Sequence, residues 1–313
     1  MPVTLPPISR RRFLGRGVAT AAAAALAACP RDLLAGPATT AAAPPLAVDA
    51  NRIALFSDTH LNADKLALHK TGVSMWDHFA RAADEVLALP VRPAAVLVNG
   101  DVAHLSGRPA DYVTVIEGLR PLRAAGLPVH LGLGNHDHRA NLLAAVPSDE
   151  RHRVAALPQR SVSVVRTPTA DWYVLDSLAQ TNLTPGELGA EQLAWLGQRL
   201  DADPTRPAVI LMHHQPDREP PITGLTDTAP FLDLVLPRQQ VKAVLFGHTH
   251  VWRNYEREGL HFINLPATAY VFNPKQPSGW VDATTTTNTM KLELRALTPD
   301  HPLDKQVLDL KWR

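Results

Sequence analysis

The chain has 313 residues, and its 31 basic and 30 acidic side chains give a formal net charge of +1. This length accommodates one large α/β domain, or one domain with a small extension. Because the charges balance, no overall field favours nucleic acid, and we expect no nucleic-acid partner. The single cysteine, Cys29, excludes an internal disulfide framework.

The N-terminal residues have the pattern of an export signal. Ser9 to Gly15 read Ser-Arg-Arg-Arg-Phe-Leu-Gly, which resembles a twin-arginine signal with glycine in place of the usual final lysine. The alanine-rich stretch from Gly17 to Ala28 is shorter than the ~20 apolar residues that span a bilayer. We therefore expect residues 1–29 to be a removable signal that the twin-arginine export machinery recognises. The mature protein would then be periplasmic or held in the cell envelope.

The position of signal removal stays open between two alternatives. Leu26 to Cys29 resembles a lipobox, in which Cys29 becomes the first residue of the mature protein and carries a membrane lipid anchor. Cleavage near Ala41–Ala43 would instead discard Cys29. Residues 30–50 are rich in proline, alanine and threonine and are predicted to be a linker, with the folded domain over residues 51–313.

Five apolar runs of strand length each end at polar residues, as expected for strands buried on both faces of a sheet. The runs and the motifs after them are Ile53–Phe56 with Asp58-Thr59-His60, Ala94–Val98 with Gly100-Asp101, Val129–Leu133 with Gly134-Asn135-His136-Asp137, Ala208–Met212 with His213, and Val241–Phe246 with Gly247-His248-Thr249-His250. Ligands of open α/β sheets bind at the carboxyl ends of the strands. We therefore expect these motifs to meet at one edge.

Apolar residues at helical spacing lie between these runs. They predict helices over about Met75–Leu87, Pro109–Arg123, Leu188–Leu200 and Phe231–Leu236. Further strand patterns at residues 162–165, 173–175, 262–265, 290–294 and 306–310 indicate a second sheet. The predicted fold is α/β: a four-layer α/β/β/α sandwich of two mixed sheets flanked by helices, with a metal site at the C-terminal strand ends.

The polar residues of the five motifs are nearly all of metal-binding types. Carboxylates, imidazoles and an amide oxygen form the ligand set of a two-metal hydrolytic centre. This mixture of nitrogen and oxygen ligands suits transition metals such as Mn, Fe, Zn or Co better than Ca or Mg. The sequence therefore predicts two divalent or trivalent transition-metal ions as cofactors.

The ordered motifs resemble those of the calcineurin-like metallophosphoesterase superfamily over about Ile53 to Trp252. Among its members, bacterial class III cyclic-nucleotide phosphodiesterases and related glycerophosphodiesterases are most similar in motif. The resemblance implies seven metal ligands: a first ion held by Asp58, His60 and His250, a second held by Asn135, His213 and His248, and Asp101 bridging both. It also implies that His136 is no ligand but lies beside the leaving group.

The chemistry follows from the negative charge of a phosphate ester, which repels hydroxide. Two cations ~3.5–4 Å apart offset that charge and lower the pKa of a water held between them. We expect hydrolysis of a small-molecule phosphate ester by a metal-bridging hydroxide, with His136 as the general acid that protonates the leaving alkoxide. No nucleophilic serine or cysteine motif is found, and none is required.

Several alternatives stay open at this level, as does the oligomeric state. A phosphodiester is the favoured substrate, and a phosphomonoester of the acid-phosphatase or nucleotidase kind is the alternative. A non-catalytic binding module is disfavoured because all seven ligands and His136 are retained. His104 stands where purple acid phosphatases have a metal-binding tyrosine and is interpreted as a loop histidine. His138 and His214 flank ligand motifs and would contact substrate or support a ligand.

The export signal gives the first prediction. Changing both Arg10 and Arg11 to lysine should leave the protein in the cytoplasm, and Cys29→Ala should release it from membranes if Cys29 is lipidated. Cell fractionation measures both effects. Unchanged export of the double lysine variant would contradict the signal, and unchanged membrane association of Cys29→Ala would contradict the anchor.

Overall fold

The computed structural model describes residues 3–5, 47–146, 157–216 and 223–313. Apart from residues 3–5, the predicted signal and the predicted linker up to residue 46 lie outside the described residues. Lipidation of Cys29 and the cleavage site therefore stay predictions. In the described part of the chain, no helix is long and apolar enough to cross a membrane.

The described residues form strands and helices that alternate through most of the chain. The strands are β1 (Val3–Leu5), β2 (Val48–Phe56), β3 (Arg92–Val98), β4 (Val129–Leu131), β5 (Ser163–Arg166), β6 (Asp171–Val174), β7 (Ala208–Leu211), β8 (Val241–Phe246), β9 (Arg253–Arg257), β10 (Leu260–Asn264), β11 (Gly279–Thr285), β12 (Thr289–Ala296) and β13 (Val307–Lys311). The helices are α1 (Met75–Leu87), α2 (Pro109–Ala124), α3 (Arg139–Ala145), α4 (Ala190–Asp201) and α5 (Thr228–Val235).

Two mixed sheets contain these strands. The first has the order β1-β4-β3-β2-β11-β12-β13, with β2, β3 and β4 parallel and the remaining pairings antiparallel. The second has the order β5-β6-β7-β8-β10-β9, with a parallel centre and an antiparallel strand at each edge. The predicted four-layer sandwich of two mixed sheets is confirmed.

Strand alternation separates three apolar layers, because successive side chains point to opposite faces of a sheet. In β2, Ala54 and Phe56 face the helices α1 and α2, whereas Ile53 and Leu55 face the second sheet. Trp172 of β6 is fully buried in this middle layer. A third cluster lies between the second sheet and the helices α4 and α5. The central strands of both sheets are therefore buried on both faces, which explains their continuous apolar runs.

The five ligand-bearing strands predicted from the sequence are confirmed as β2, β3, β4, β7 and β8. Four elements were missed, among them the three-residue strand β1, which lies within the predicted signal and pairs with β4. β9 is an exposed edge strand of sequence RNYER, β11 mixes apolar residues with aspartate and threonine, and α3 has only seven residues. None of them has the apolar periodicity by which the other elements were recognised.

Candidate metal centre

The predicted ligands lie just past the carboxyl ends of parallel strands from both sheets. Asp58 follows β2 by two residues, and His213 follows β7 by two residues. The first sheet contributes Asp58, His60, Asp101 and Asn135, and the second contributes His213, His248 and His250. The site therefore lies across the boundary between the sheets and requires both of them.

The side chains form two groups whose ligand atoms lie within 4.8 Å of one another. The first group comprises Asp58, His60 and His250, and the second comprises Asp101, His213 and His248. Asp101 also faces the first group. Its Oδ2 lies 3.3 Å from Nε2 of His213 in its own group and 3.8 Å from Nε2 of His60 in the first group. The carboxylate of Asp101 is thus between the two groups.

Backbone carbonyls set the orientation of two of the imidazoles. His213 Nδ1 donates to Asn99 O at 3.0 Å, and His250 Nδ1 donates to Tyr270 O at 2.6 Å. In both rings Nδ1 therefore carries a proton, and Nε2 is the ring nitrogen that faces the centre. His213 Nε2 lies 3.3 Å from Asp101, and His250 Nε2 lies 3.3 Å from Asp58. This is the arrangement that metal-binding histidines require.

Unusual backbone conformation is concentrated at this site. Ten non-glycine residues of the described chain have positive φ, and five of them are candidate ligands. These five are Asp58, His60, Asp101, His248 and His250. A positive φ is disfavoured for residues with a β-carbon and persists where function maintains it. The chain is therefore held in a costly conformation at the residues that converge on the centre.

Two glycines allow the ligand loops to approach one another. A β-carbon at Gly134 would collide with the carboxylate of Asp101, and one at Gly247 would collide with Ser57 and the carboxylate of Asp58. Since only glycine lacks this atom, these positions need glycine for steric reasons. The motifs Gly134-Asn135 and Gly247-His248 thus combine a close backbone approach with a ligand.

The electrostatics of the centre divide the histidines into two kinds. Burial lowers the pKa of His60 to about 3 and of His248 to about 4. Burial also opposes protonation of His213, but the carboxylates of Asp101 and Asp58 outweigh it and raise its pKa to about 10. At neutral pH and without a cation, His60 and His248 are therefore neutral, whereas His213 is protonated beside the two carboxylates.

Several buried polar atoms support the interpretation as a cation site. His213 Nε2 and Asn135 Oδ1 have no hydrogen-bond partner among the described residues, although both are buried. Buried polar atoms are nearly always paired, because an unpaired one loses its hydration without compensation. Two carboxylates, four imidazoles and one amide oxygen that converge in this way fit a pair of transition-metal ions.

His136, the predicted general acid, lies at the rim of the centre. Its ring centroid is 5.5 Å from that of His60, and its backbone N–H donates to Asp101 Oδ1 at 2.8 Å. Its Nδ1 donates to Leu105 O at 2.6 Å. The Nε2 atom is therefore the ring nitrogen left available for proton exchange.

Asp137 has a role that sequence reasoning did not identify. Its fully buried carboxylate accepts hydrogen bonds from the backbone N–H groups of Val102, Ala103 and Gly134 at 2.9–3.0 Å, and from the Tyr112 hydroxyl at 3.0 Å. Burial and the nearby Asp101 raise its pKa to about 6 against the effect of these donors. It is ionised at neutral pH and joins the Asp101 loop to the Asn135 loop. The sequence did mark Asp137, since it is the last residue of the recognised motif Gly134-Asn135-His136-Asp137.

The neighbouring histidines have identifiable structural contacts. His138 Nδ1 accepts from Asn141 N at 3.3 Å, which caps the start of α3. His214 Nδ1 contacts Ser177 Oγ at 2.8 Å, and its ring lies 4.9 Å from the His248 ring. His104 Nδ1 pairs with Asn62 Nδ2 at 2.9 Å. His214 therefore supports a ligand, and His138 has a capping contact of its own.

This fold, with two groups of acidic and histidine side chains at the strand ends, defines a class of metal-dependent phosphoesterases. The family described as calcineurin-like phosphoesterase matches residues 51–252, and the chain belongs to this family. The protein is a hydrolase that acts on phosphoric ester bonds.

Individual relatives carry more specific names. A probable cyclic nucleotide phosphodiesterase of Synechococcus is 32% identical over 234 residues, which cover 73% of this chain and 85% of the relative. A 3′,5′-cyclic adenosine monophosphate phosphodiesterase of Vibrio vulnificus is 27% identical, over 78% of this chain and 91% of its own. The solved structure of a dimetal phosphatase from Danio rerio covers 86% of this chain with a TM-score of 0.65. At 15% identity this last match shows the fold alone.

The carboxylate of Asp137 gives a stability prediction. In Asp137→Asn the amide NH₂ faces backbone N–H donors, and each donor left unsatisfied costs about 1–3 kcal/mol. We expect a lower free energy of unfolding in urea and weaker metal binding. Asp84→Asn on the exposed side of α1 is the control and should change neither. A variant of Asp137 as stable as wild type would show that its carboxylate does not join the loops.

The raised pKa of His213 gives a prediction for metal binding. A metal needs the neutral Nε2, so binding at pH 7 should release about one proton from His213. The affinity should therefore increase as the pH rises towards about 10, the pKa of His213 in the metal-free protein. Calorimetric titration of Mn²⁺ in buffers of different ionisation enthalpy measures the released protons. His213→Gln should abolish the release and His261→Gln should not; equal release in both variants would contradict the assignment.

Proposed function

We propose that this enzyme is an exported phosphodiesterase that uses two transition-metal ions. The observation that carries the proposal is the position of the Asp101 carboxylate, between the two ligand groups and within 4 Å of an imidazole nitrogen of each. Relatives named as cyclic nucleotide phosphodiesterases, which align along most of this chain, support a diester over a monoester. The phosphomonoesterase alternative has no comparable support.

In this proposal the two ions are held as the motif resemblance implies. Asp58, His60 and His250 would hold the first, and Asn135, His213 and His248 would hold the second, with Asp101 available to both. When bound, the ions offset the charge of the phosphoryl group and activate water for attack. The ligand types suit Mn, Fe, Zn or Co.

The remaining steps are assigned to residues of the chain. The backbone N–H of His136 donates to Asp101 Oδ1 and orients this carboxylate. The Leu105 carbonyl holds the His136 ring through Nδ1, so that the proton for the leaving oxygen comes from Nε2. General-acid catalysis of this kind contributes about 10²–10⁴-fold.

The location is proposed from the sequence of residues 1–29, which resembles a twin-arginine signal. This route carries folded proteins, so a metal centre can be assembled before export. Outside the cytoplasm, an intracellular signalling nucleotide is an uncommon substrate. We therefore propose that the enzyme serves phosphate scavenging: it cleaves one ester bond of nucleotide diesters, glycerophosphodiesters or other organic phosphate diesters of the surroundings and leaves a phosphomonoester.

The decisive experiment measures turnover against the pKa of the leaving group for wild type and His136→Ala. The variant should keep both metals and lose about 10²–10⁴-fold on diesters with poor leaving groups. It should lose much less on bis-p-nitrophenyl phosphate, whose leaving group needs little protonation. His138→Ala serves as the control, because His138 caps α3.

Two results would refute the proposed chemistry. A loss that is independent of the leaving group would show that His136 is not the acid. Active wild-type protein without metal, measured by elemental analysis, would remove the basis of the mechanism. A comparison of bis- and mono-p-nitrophenyl phosphate with cyclic and glycerol diesters would separate diesterase from monoesterase activity.

A further inference from the structure

An aromatic cluster formed by His69, Tyr270 and Phe272 packs against the first ligand group. The rings of His69 and Tyr270 stack at 3.7 Å and 6°. Tyr270 in turn stacks on His60 at 5.0 Å and 26°, and Phe272 stacks on His250 at 4.4 Å and 24°. The predicted ligands and general acid include none of these three aromatic residues.

Phe272 differs from the other rings in its exposure. The side chain of Tyr270 is 8% exposed, whereas that of Phe272 is 64% exposed. One face of the Phe272 ring rests on His250, so the accessible part of the ring is open to solvent beside the centre. Removing a phenylalanine ring from water lowers the free energy. A ligand that covers the exposed Phe272 ring would therefore be stabilised by this burial.

The position of the Phe272 ring is fixed by its contacts with His250, the predicted metal ligand on which it stacks. The carbonyl of Tyr270, two residues before Phe272, accepts the hydrogen bond from His250 Nδ1. The rings of Tyr270 and Phe272 also contact each other edge to face at 5.7 Å and 75°. The ring of Phe272 is therefore held at a defined place relative to the first ligand group before any substrate arrives.

We propose that Phe272 determines specificity by stacking on a planar aromatic group of the ester, such as the base of a nucleotide. The inference rests on the proposed phosphodiesterase function and adds the residue that selects among diesters. A flat, uncharged ring offers no partner to a phosphate, a carboxylate or a sugar hydroxyl, but it matches the face of a heterocycle. Stacking of this kind is indifferent to the identity of the base, because every base has a π-face.

The test compares two cyclic phosphodiesters that differ only in the aromatic group. One is 3′,5′-cyclic AMP, and the other is the base-free 3′,5′-cyclic phosphate of 1-deoxyribose. Both have the same leaving group and the same ring strain, so the chemistry at phosphorus is matched. The proteins are wild type, Phe272→Ala, Phe272→Tyr and Tyr255→Ala, all loaded with metal and checked for metal content.

Phe272→Ala should lower kcat/KM for cyclic AMP by about 5- to 100-fold. The effect should fall mainly on KM, and the base-free diester should change by less than about twofold. Phe272→Tyr keeps the ring and should restore the wild-type value. Tyr255 is also an exposed aromatic residue, stacked on Phe262 at the edge of the second sheet, and Tyr255→Ala should have no effect. Binding of the product AMP, followed by calorimetry, should weaken by the same factor in Phe272→Ala.

The outcomes separate this inference from the proposed function. If wild type hydrolyses neither these diesters nor bis-p-nitrophenyl phosphate, the phosphodiesterase proposal fails. If it hydrolyses bis-p-nitrophenyl phosphate but neither cyclic diester, only the stacking proposal is overturned. If wild type is active but Phe272→Ala affects both diesters equally or neither of them, only the stacking proposal is overturned. A change of oligomeric state in Phe272→Ala by analytical ultracentrifugation, with unchanged preference between the diesters, would show that the ring contacts another copy of the chain.

Discussion

The junction between the two sheets at Asn99 is the contact on which the metal centre depends. The Asn99 side-chain amide donates to Met212 O at 3.0 Å, and the backbone carbonyl of Asn99 accepts from His213 Nδ1 at 3.0 Å. Asn99 belongs to the loop of the first sheet that bears Asp101, whereas Met212 and His213 belong to the second sheet. One buried residue thus sets the distance between the sheets at the edge where the ligands meet and also orients a ligand.

Burial gives this junction its strength. Two carboxylates and several imidazoles lie out of contact with water, where charges interact strongly and an unpaired polar group is costly. The scaffold counters this cost with hydrogen bonds between loops, including those from three backbone amides to Asp137. The same hydrogen bonds keep Asp101 and His136 at fixed positions. Preorganisation of the site and stability of the loops therefore have a common origin.

The sequence predicted those parts of the fold and site that a side-chain pattern displays. Continuous apolar runs located β2, β3, β7 and β8, and the residues after each run located the ligands. The role of Asn99 was not predictable, because its partners Met212 and His213 are far away in sequence. Asp137 belongs to a recognised motif, but the motif does not show that its carboxylate binds the backbone of Val102 and Ala103. Phe272 belongs to no recognised motif, and only the folded chain brings it onto His250. The positive φ values of the ligands likewise contradict local preference and are maintained by the site.

The hydrogen bond from His250 to the Tyr270 carbonyl links two properties that are usually considered apart. The segment that contains Tyr270 and Phe272 supplies both the acceptor that orients a candidate ligand and the exposed ring above it. A substitution that shifts this segment would alter the orientation of the His250 imidazole together with the shape of the neighbouring surface. A sequence change in this loop would thus affect metal preference and substrate range together. The evolution of one of these properties therefore limits the evolution of the other.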